Sequence, residues 1–183
     1  PPSPAIRILT YNIHHGEGAD GVFDLPRLAG VIASAAPDLV ALQEVDEKTE
    51  RSGGVSQASE LGRLTGLRPV FGEAMPFQNG GYGVAVLSRW PVLSVHNRRL
   101  PQLVPDREPR TALTVTVRPT SGPGDVTFTS THLDFGRGNS RDLQAQALNE
   151  MLIGQGGQGG NDDALSILAG DLNSGEDSEV VRI

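Results

Sequence analysis

Five strand-like segments follow one another between residues 68 and 131, and this run constrains the fold more than any other feature of the chain. They are predicted at residues 68–71, 83–88, 92–100, 111–117 and 126–131. Parallel neighbours need a crossover connection of roughly a dozen residues or more, usually a helix. Strands this closely spaced, with little helix between them, therefore predict mostly antiparallel β-sheet.

The chain opens with a pattern typical of a β-α-β unit. Residues 5–11 are predicted to form a buried strand, and residues 38–43 form the next one. Between them, Asp24 is a typical N-cap, Pro26 is tolerated in the first helical turn, and Pro37 ends the helix. This opening predicts two strands joined by a crossover helix.

The remaining predicted elements place helices in both halves of the chain, each of which is rich in predicted strands. A second helix is predicted through Leu64, with Ser56 as its cap and Gly66 as its stop. Further helices are predicted at residues 140–153 and 176–183, with a last strand at 165–169. Residues 154–160, rich in Gly and Gln, are interpreted as a surface linker. We expect one α+β domain over residues 1–183, built from two packed sheets that helices cover on the outside.

Composition limits the classes of function. With no cysteine, the chain has no disulfide, thiolate metal site or cysteine nucleophile. A net charge of -7 and a single lysine, Lys48, argue against tight non-specific binding of long nucleic acid. No apolar run approaches the roughly 20 residues of a membrane span. The compartment stays open between the cytoplasm and secretion after signal removal.

Polar clusters follow four apolar runs, at the points where strands are predicted to end. They are Tyr11-Asn12-Ile13-His14-His15, Leu42-Gln43-Glu44-Val45-Asp46, Thr131-His132-Leu133-Asp134 and Gly170-Asp171-Leu172-Asn173. Strand ends of this kind, far apart in sequence, predict one site at a sheet rim. Carboxylate and amide oxygens suit Mg²⁺, and His and Asp beside such a cation suit proton transfer and phosphoryl chemistry.

Three of the four polar clusters also have a structural interpretation. Asn12 suits a turn residue, Glu44 suits a solvated strand end, and a lone His132 is usually a satisfied structural group. Asp134 lies two residues from His132 and is predicted to share its face and orient it. Asp171 and Asn173 share a face by the same period of two, which makes them the most specific pair in the chain.

Further charged and aromatic groups flank these clusters. Tyr82 is predicted in a flexible turn, and Arg107 and Arg110 precede a strand, where guanidinium groups suit phosphate. Both arginines also suit plain surface charges. Three acidic residues are interpreted as exposed loop charges: Asp46, Glu47 and Glu50.

Taken together and in order, six motifs resemble the endonuclease/exonuclease/phosphatase superfamily, which has the DNase I-like fold. They are Thr10-Tyr11-Asn12, Leu42-Gln43-Glu44, Gly81-Tyr82-Gly83, Arg107-Glu108-Pro109-Arg110, Thr131-His132-Leu133 and Gly170-Asp171-Leu172-Asn173. The resemblance runs from about residue 6 to 174, and the opening motif is similar to that of a bacterial branch. It implies a four-layered α/β/β/α sandwich with its site at one rim of the two sheets.

The resemblance also implies a hydrolase that cleaves a phosphodiester or phosphomonoester bond by attack of water. It implies Mg²⁺ or Mn²⁺ held by Glu44 with Asn12 beside it, and Asp171 as the group that orients or activates the water. His132 and Asn173 would hold the phosphoryl oxygens. Substrate contacts are expected from Tyr82 and Arg110, together with His14. The substrate class stays open between a small molecule, a phospholipid head group and nucleic acid.

Two departures from the superfamily pattern lead to further expectations. Val84 stands where relatives often carry Asn, and the chain lacks the Ser-Asp-His-type motif that follows in relatives. We therefore expect a domain whose C-terminal part is missing, with little hydrolytic activity alone and self-association through an open sheet edge. The alternative is a catalytically inactive fragment or pseudoenzyme of the same fold that acts as a binding module.

Overall fold

Two four-stranded sheets and the helices that cover them form the framework of the protein. The structure is a computed structural model that describes residues 5–105, 107–120, 124–135, 139–156 and 165–182. The strands are β1 Ile8–Asn12, β2 Leu39–Glu47, β3 Arg68–Phe77, β4 Gly80–Ser88, β5 Val92–Arg99, β6 Thr111–Val117, β7 Val126–His132 and β8 Leu165–Asp171. The helices are α1 Leu25–Ala35, α2 Gln57–Thr65, α3 Ser140–Gly156 and α4 Glu179–Arg182.

The first sheet has the strand order β1-β2-β4-β3. β1 and β2 are parallel and joined by α1, as the opening pattern predicts. The Asp24 carboxylate caps α1 by accepting a hydrogen bond from the backbone N–H of Arg27 at 2.9 Å. Ser56 is the N-cap residue of α2, but its hydroxyl donates to Glu47 Oε2 at 2.6 Å and makes no cap hydrogen bond.

The second sheet has the strand order β5-β6-β7-β8. β5, β6 and β7 pair antiparallel, and β8 adds in parallel beside β7. Gly170 makes this last pairing possible, because a Cβ there would lie 2.2 Å from the carbonyl oxygen of Thr131. Among the described strands, β8 is an edge strand. Self-association through that edge stays a prediction.

The two sheets pack face to face, and period-two alternation divides their side chains between layers. On β2, Leu39 and Ala41 enter a core shared with Leu113 and Phe128 of the second sheet. Their neighbours on β2 pack instead with α1 and α2, and α3 and α4 pack around Leu133. The architecture is α+β with α/β/β/α layers, as predicted. Because both sheets share a core, we propose that the chain is a single domain.

Several element bounds differ from the sequence prediction. β3 runs to Phe77 and β4 starts at Gly80, so Tyr82 lies in a central strand and not in a flexible turn. Gly83 permits this pairing, because a Cβ there would meet the carbonyl oxygen of Gly72 at 2.1 Å. α3 continues to Gly156, into the predicted linker, and residues 157–160 lie outside the described residues. In the part of the chain that the structure describes, no helix has the length and apolar character needed to cross a bilayer.

Candidate active site

One cleft of about 550 Å³ opens at the rim where β1, β2, β7 and β8 end. Its lining residues are Asn12, His14, His15, Glu44, Arg51, Met75, Phe77, Tyr82, Glu108, Arg110, His132, Phe135, Asp171 and Asn173. All eight residues predicted for the site are among them. The structure thus brings these side chains together, and their chemical roles stay predictions.

An acidic corner of the cleft is organised around the amide of Asn12. Its Nδ2 donates to Glu44 Oε1 at 2.9 Å and to Asp171 Oδ2 at 3.2 Å. Its Oδ1 accepts from the backbone N–H of His14 at 3.0 Å and keeps a second lone pair. Two carboxylates from different sheets therefore approach the same amide, which concentrates negative charge and oxygen donors in one place.

Local backbone irregularities occur at two residues that line the cleft, Glu44 and Asn173. The register of β2 against β4 shifts between Leu42 and Val45, and Glu44 has φ of 57° at this bulge. Asn173 has φ of 48°, and its N–H donates to Asp171 Oδ1 at 2.9 Å. Left-handed conformations of this kind cost of order 1–3 kcal/mol, and they cluster at functional sites. Their position here supports a functional interpretation of both residues.

Next to the acidic corner, His132 lies between two donor groups. Arg110 Nη1 donates to Glu108 Oε1 at 2.6 Å and lies 3.1 Å from His132 Nδ1. On the other side of the ring, Asn173 Nδ2 lies 3.0 Å and Asp171 Oδ2 lies 3.9 Å from His132 Nε2. Burial, and then the guanidinium of Arg110, lower the pKa of His132 to about 4. The ring is therefore neutral near pH 7.

This arrangement presents more donors than His132 can accept. A neutral imidazole has one donor and one acceptor nitrogen, while Arg110 and Asn173 each direct a donor at the ring. The Asn173 amide is fixed in this orientation because its Nδ2 also donates to the carbonyl of Leu133 at 2.8 Å. Arg110 Nε is likewise buried without a partner among the described residues. Surplus donors at the edge of a cleft suit an anionic ligand.

Two sequence interpretations in this region are wrong: the pairing of Asp134 with His132, and the flexible turn around Tyr82. Asp134 accepts from Arg107 Nη1 at 3.0 Å, while both ring nitrogens of His132 face other groups. Tyr82 is buried in the floor of the cleft, and burial raises the pKa of its phenol. Strand pairing, which local sequence does not show, explains both differences.

Sequence reasoning missed Arg51, which lines the cleft, and misplaced its partner Asp46. Asp46 was interpreted as an exposed loop charge, but its side chain is 0% exposed. Arg51 Nε and Nη2 donate to its two carboxylate oxygens, each at 2.8 Å. The guanidinium also lies 4.7 Å from the ring centroid of Phe77 and 5.5 Å from that of Tyr82. The sequence did contain one signal for this ion pair, because Arg51 follows the acidic residue Asp46 by five positions.

Replacing Arg51 with Met should lower the free energy of unfolding by about 2 kcal/mol, because it removes a charged donor pair from a buried carboxylate. Urea denaturation measures the change. Arg63→Met is the matched control, since it breaks the exposed ion pair with Glu60, where a loss below about 0.5 kcal/mol is expected. Equal losses in the two variants would contradict a structural role for the buried pair.

His14–Gly16 forms a 3-10 turn one residue after β1, so His14 does not lie on the strand face of Asn12. Their ring centroids lie 4.3 Å apart. Burial, and then Arg51, lower the pKa of His15. Both imidazoles therefore line the cleft from a turn and not from the strand itself.

Comparisons with known proteins agree with this architecture. A structure described as an endonuclease/exonuclease/phosphatase from Beutenbergia cavernae is 28% identical, with a TM-score of 0.75, over 93% of this chain and 48% of that one. Mannosyl-6-phosphatase from Bacteroides thetaiotaomicron is 16% identical, with a TM-score of 0.75, over 96% of this chain and 68% of that one. The human nocturnin catalytic domain with bound sulfate is 23% identical, with a TM-score of 0.73, over 97% of this chain and 67% of that one.

The extent of these matches differs between comparisons. The chain spans about half of the Beutenbergia protein, 48% of its length. A comparison with curated proteins found no match. The model of the Endonuclease/Exonuclease/phosphatase family matches residues 9–182, nearly the whole chain. The chain therefore belongs to the endonuclease/exonuclease/phosphatase family.

Proposed function

We propose that this chain carries the site of a divalent-metal-dependent hydrolase that cleaves a phosphate ester by attack of water. One observation carries the proposal. In a single cleft, two carboxylates meet at the Asn12 amide, and the surplus donors of Arg110 and Asn173 lie beside them around His132, whose Nε2 is 3.9 Å from Asp171 Oδ2. A cation-binding corner that adjoins anion-binding donors suits a phosphoryl group. The names of two structural neighbours, a phosphatase and a domain with bound sulfate, support the same chemistry.

The donor set of the acidic corner fits a hard divalent cation. Glu44 and Asp171 offer carboxylate oxygens, and Asn12 offers the second lone pair of its amide oxygen. These are the ligands that Mg²⁺ prefers, and Mn²⁺ accepts the same set. When bound, such an ion neutralises charge on the phosphoryl oxygens and lowers the pKa of a water molecule.

Asp171 is the residue that we propose to orient the attacking water and to accept its proton. Both of its oxygens are already held, Oδ1 by the backbone N–H of Asn173 and Oδ2 by Asn12. A carboxylate fixed in this way loses little orientational freedom when the water is bound. Beside Asp171, the side chains of Arg110, His132 and Asn173 would donate to the phosphoryl oxygens as negative charge develops on them.

Replacing Glu44 with Gln should weaken binding of Mg²⁺ and Mn²⁺ while the fold stays intact. The substitution removes one negative charge from an oxygen-donor site at the rim, outside the hydrophobic core. Calorimetric titration measures the affinity, and circular dichroism checks the fold. Glu47→Gln, on the same strand, is the matched control. Unchanged Mg²⁺ affinity in the Glu44 variant would remove Glu44 from the ligand set.

A small or lipid-like phosphate ester is the substrate class that we favour over long DNA. The chain has a net charge of -7, which opposes a long polyanion. Beside the polar groups, Met75, Phe77 and the exposed ring of Phe135 add apolar surface to the lining of the cleft. Such surface suits the organic part of a compact ester.

The proposal is tested with a panel of phosphomonoesters, phosphodiesters, phospholipids, RNA and DNA, with Mg²⁺ or Mn²⁺. The panel is applied to this chain and to the longest protein that its coding sequence specifies. Turnover that requires the metal and falls in the Glu44→Gln variant supports the proposal. Binding of phosphate esters without turnover by either protein would favour the alternative, a non-catalytic binding module.

A further inference from the structure

A second group of ligand atoms lies beside the acidic corner. His14, His15 and Glu44 each offer one such atom, and the three atoms lie within 4.8 Å of one another. Metal–nitrogen and metal–oxygen bonds of about 2.0–2.2 Å place ligand atoms up to about 4 Å apart around one ion. Small side-chain rotations therefore suffice to bring all three onto a single ion.

The imidazole of His14 already has the second contact that ligating histidines make. Its Nδ1 lies 3.3 Å from the carbonyl oxygen of Glu17, a distance at which an Nδ1–H donates. In that tautomer Nε2 carries the lone pair. Metal-binding histidines commonly donate their other N–H to a backbone carbonyl in this way, which fixes the ring and raises the basicity of the ligand.

The turn that carries the two histidines is strained and firmly held. His14 and His15 both have φ of 45°, although neither is glycine. The wholly buried side chain of Gln57 donates through Nε2 to the carbonyl of His15 at 2.6 Å, and Gly16 leaves no room for a Cβ against Phe23. Each such conformation costs of order 1–3 kcal/mol, and such strain concentrates at functional sites. The fold thus stabilises a turn that directs adjacent imidazoles into one cleft.

The chemistry of these ligands differs from that of the oxygen-donor corner. Two imidazole nitrogens and one carboxylate oxygen suit Zn²⁺ and related transition metals, whereas Mg²⁺ prefers oxygen ligands alone. Three protein ligands that line an open cleft leave a fourth position for water or substrate, as in catalytic zinc sites.

We propose that His14, His15 and Glu44 form a distinct transition-metal site, selective for Zn²⁺ or Co²⁺ over Mg²⁺, with Glu44 shared with the oxygen-donor corner. This site is inferred from the geometry of the turn and does not depend on the proposed hydrolysis. Because its test measures metal binding, its failure and the failure of the proposed function are separable.

The test measures Zn²⁺ affinity by calorimetry in the presence of excess Mg²⁺, and Co²⁺ binding by its visible absorption. The variants are His14→Asn, His15→Asn and the double variant, since Asn tolerates the left-handed backbone at both positions. His96→Asn, which removes an exposed imidazole from β5, is the control. Circular dichroism confirms that each variant is folded.

Zn²⁺ affinity should fall by about 100-fold or more in the double variant, since even loss of a supporting partner costs 10- to 100-fold. Mg²⁺ affinity should change by less than about threefold, because imidazole contributes little to Mg²⁺ binding. The control should bind both metals as the wild type does. Wild-type Zn²⁺ affinity in the double variant, an equal loss in the control, or parallel losses of Zn²⁺ and Mg²⁺ would each overturn the proposal.

Discussion

Replacing Asp171 with Asn is expected to lower kcat by between about 100-fold and 10,000-fold, the range for a positioned general base, while KM changes much less. An amide cannot take a proton from the attacking water, so the loss falls on the transition state. The substituted amide also has one acceptor oxygen where the carboxylate has two, and Asn12 and Asn173 both donate to that carboxylate. Some misalignment therefore adds to the chemical loss.

The measurement is steady-state kinetics of the longest protein that the coding sequence specifies, on the best substrate of the panel and at metal concentrations shown to be saturating for each variant. Asp125→Asn is the control, because Asp125 pairs with Arg118 at the surface, and its loss should leave kcat unchanged. If kcat stays near the wild-type value in the Asp171 variant, Asp171 is a structural residue that orders Asn12 and Asn173. A change confined to KM would instead assign it to substrate binding.

The strands were predictable because apolar runs and period-two alternation are local signals. β6 was predicted with the bounds that the structure shows, Thr111–Val117, and the parallel pairing of β1 with β2 followed from the helix signals between them. The meeting of distant polar residues was predictable for a related reason. Strand ends meet at sheet rims, so side chains that follow several strands converge wherever the sheets bring those ends together.

What sequence could not supply was the pairing of side chains across the fold. Predicting the end of β2 at residue 43 placed Asp46 in a loop, whereas a bulge at Glu44 lets the strand continue and buries Asp46 against Arg51. A bulge depends on the partner strand, here β4, and has no reliable local signature. The interpretation of Asp134 as the partner of His132 failed likewise, because Arg110 and Asn173 reach the ring from elsewhere in the sheet.

His132 should make the stability of the protein fall as the pH is lowered from about 6.5 to about 4. Its pKa is about 4 in the folded protein and about 6.5 as an ordinary value, with burial as the larger cause and the Arg110 guanidinium as the next. Between these values the unfolded chain takes up a proton that the folded protein does not bind, so protonation favours unfolding. The stability contribution is complete above pH 6.5 and decreases until the folded pKa is reached.

A difference of 2.5 pKa units corresponds to about 3 kcal/mol, since each unit is worth about 1.4 kcal/mol. Urea denaturation at closely spaced pH values, in metal-free buffer, measures the loss. In His132→Gln the titrating group is absent, so the wild type should lose about 3 kcal/mol relative to the variant between pH 7 and pH 4. His96→Gln, which removes an exposed imidazole, is the control for general effects of the substitution. A constant difference between wild type and His132→Gln across this range would show that the folded protein admits a charged ring. Its folded pKa would then be close to the ordinary value, and His132 would meet the phosphoryl group as a cation below about pH 6.5.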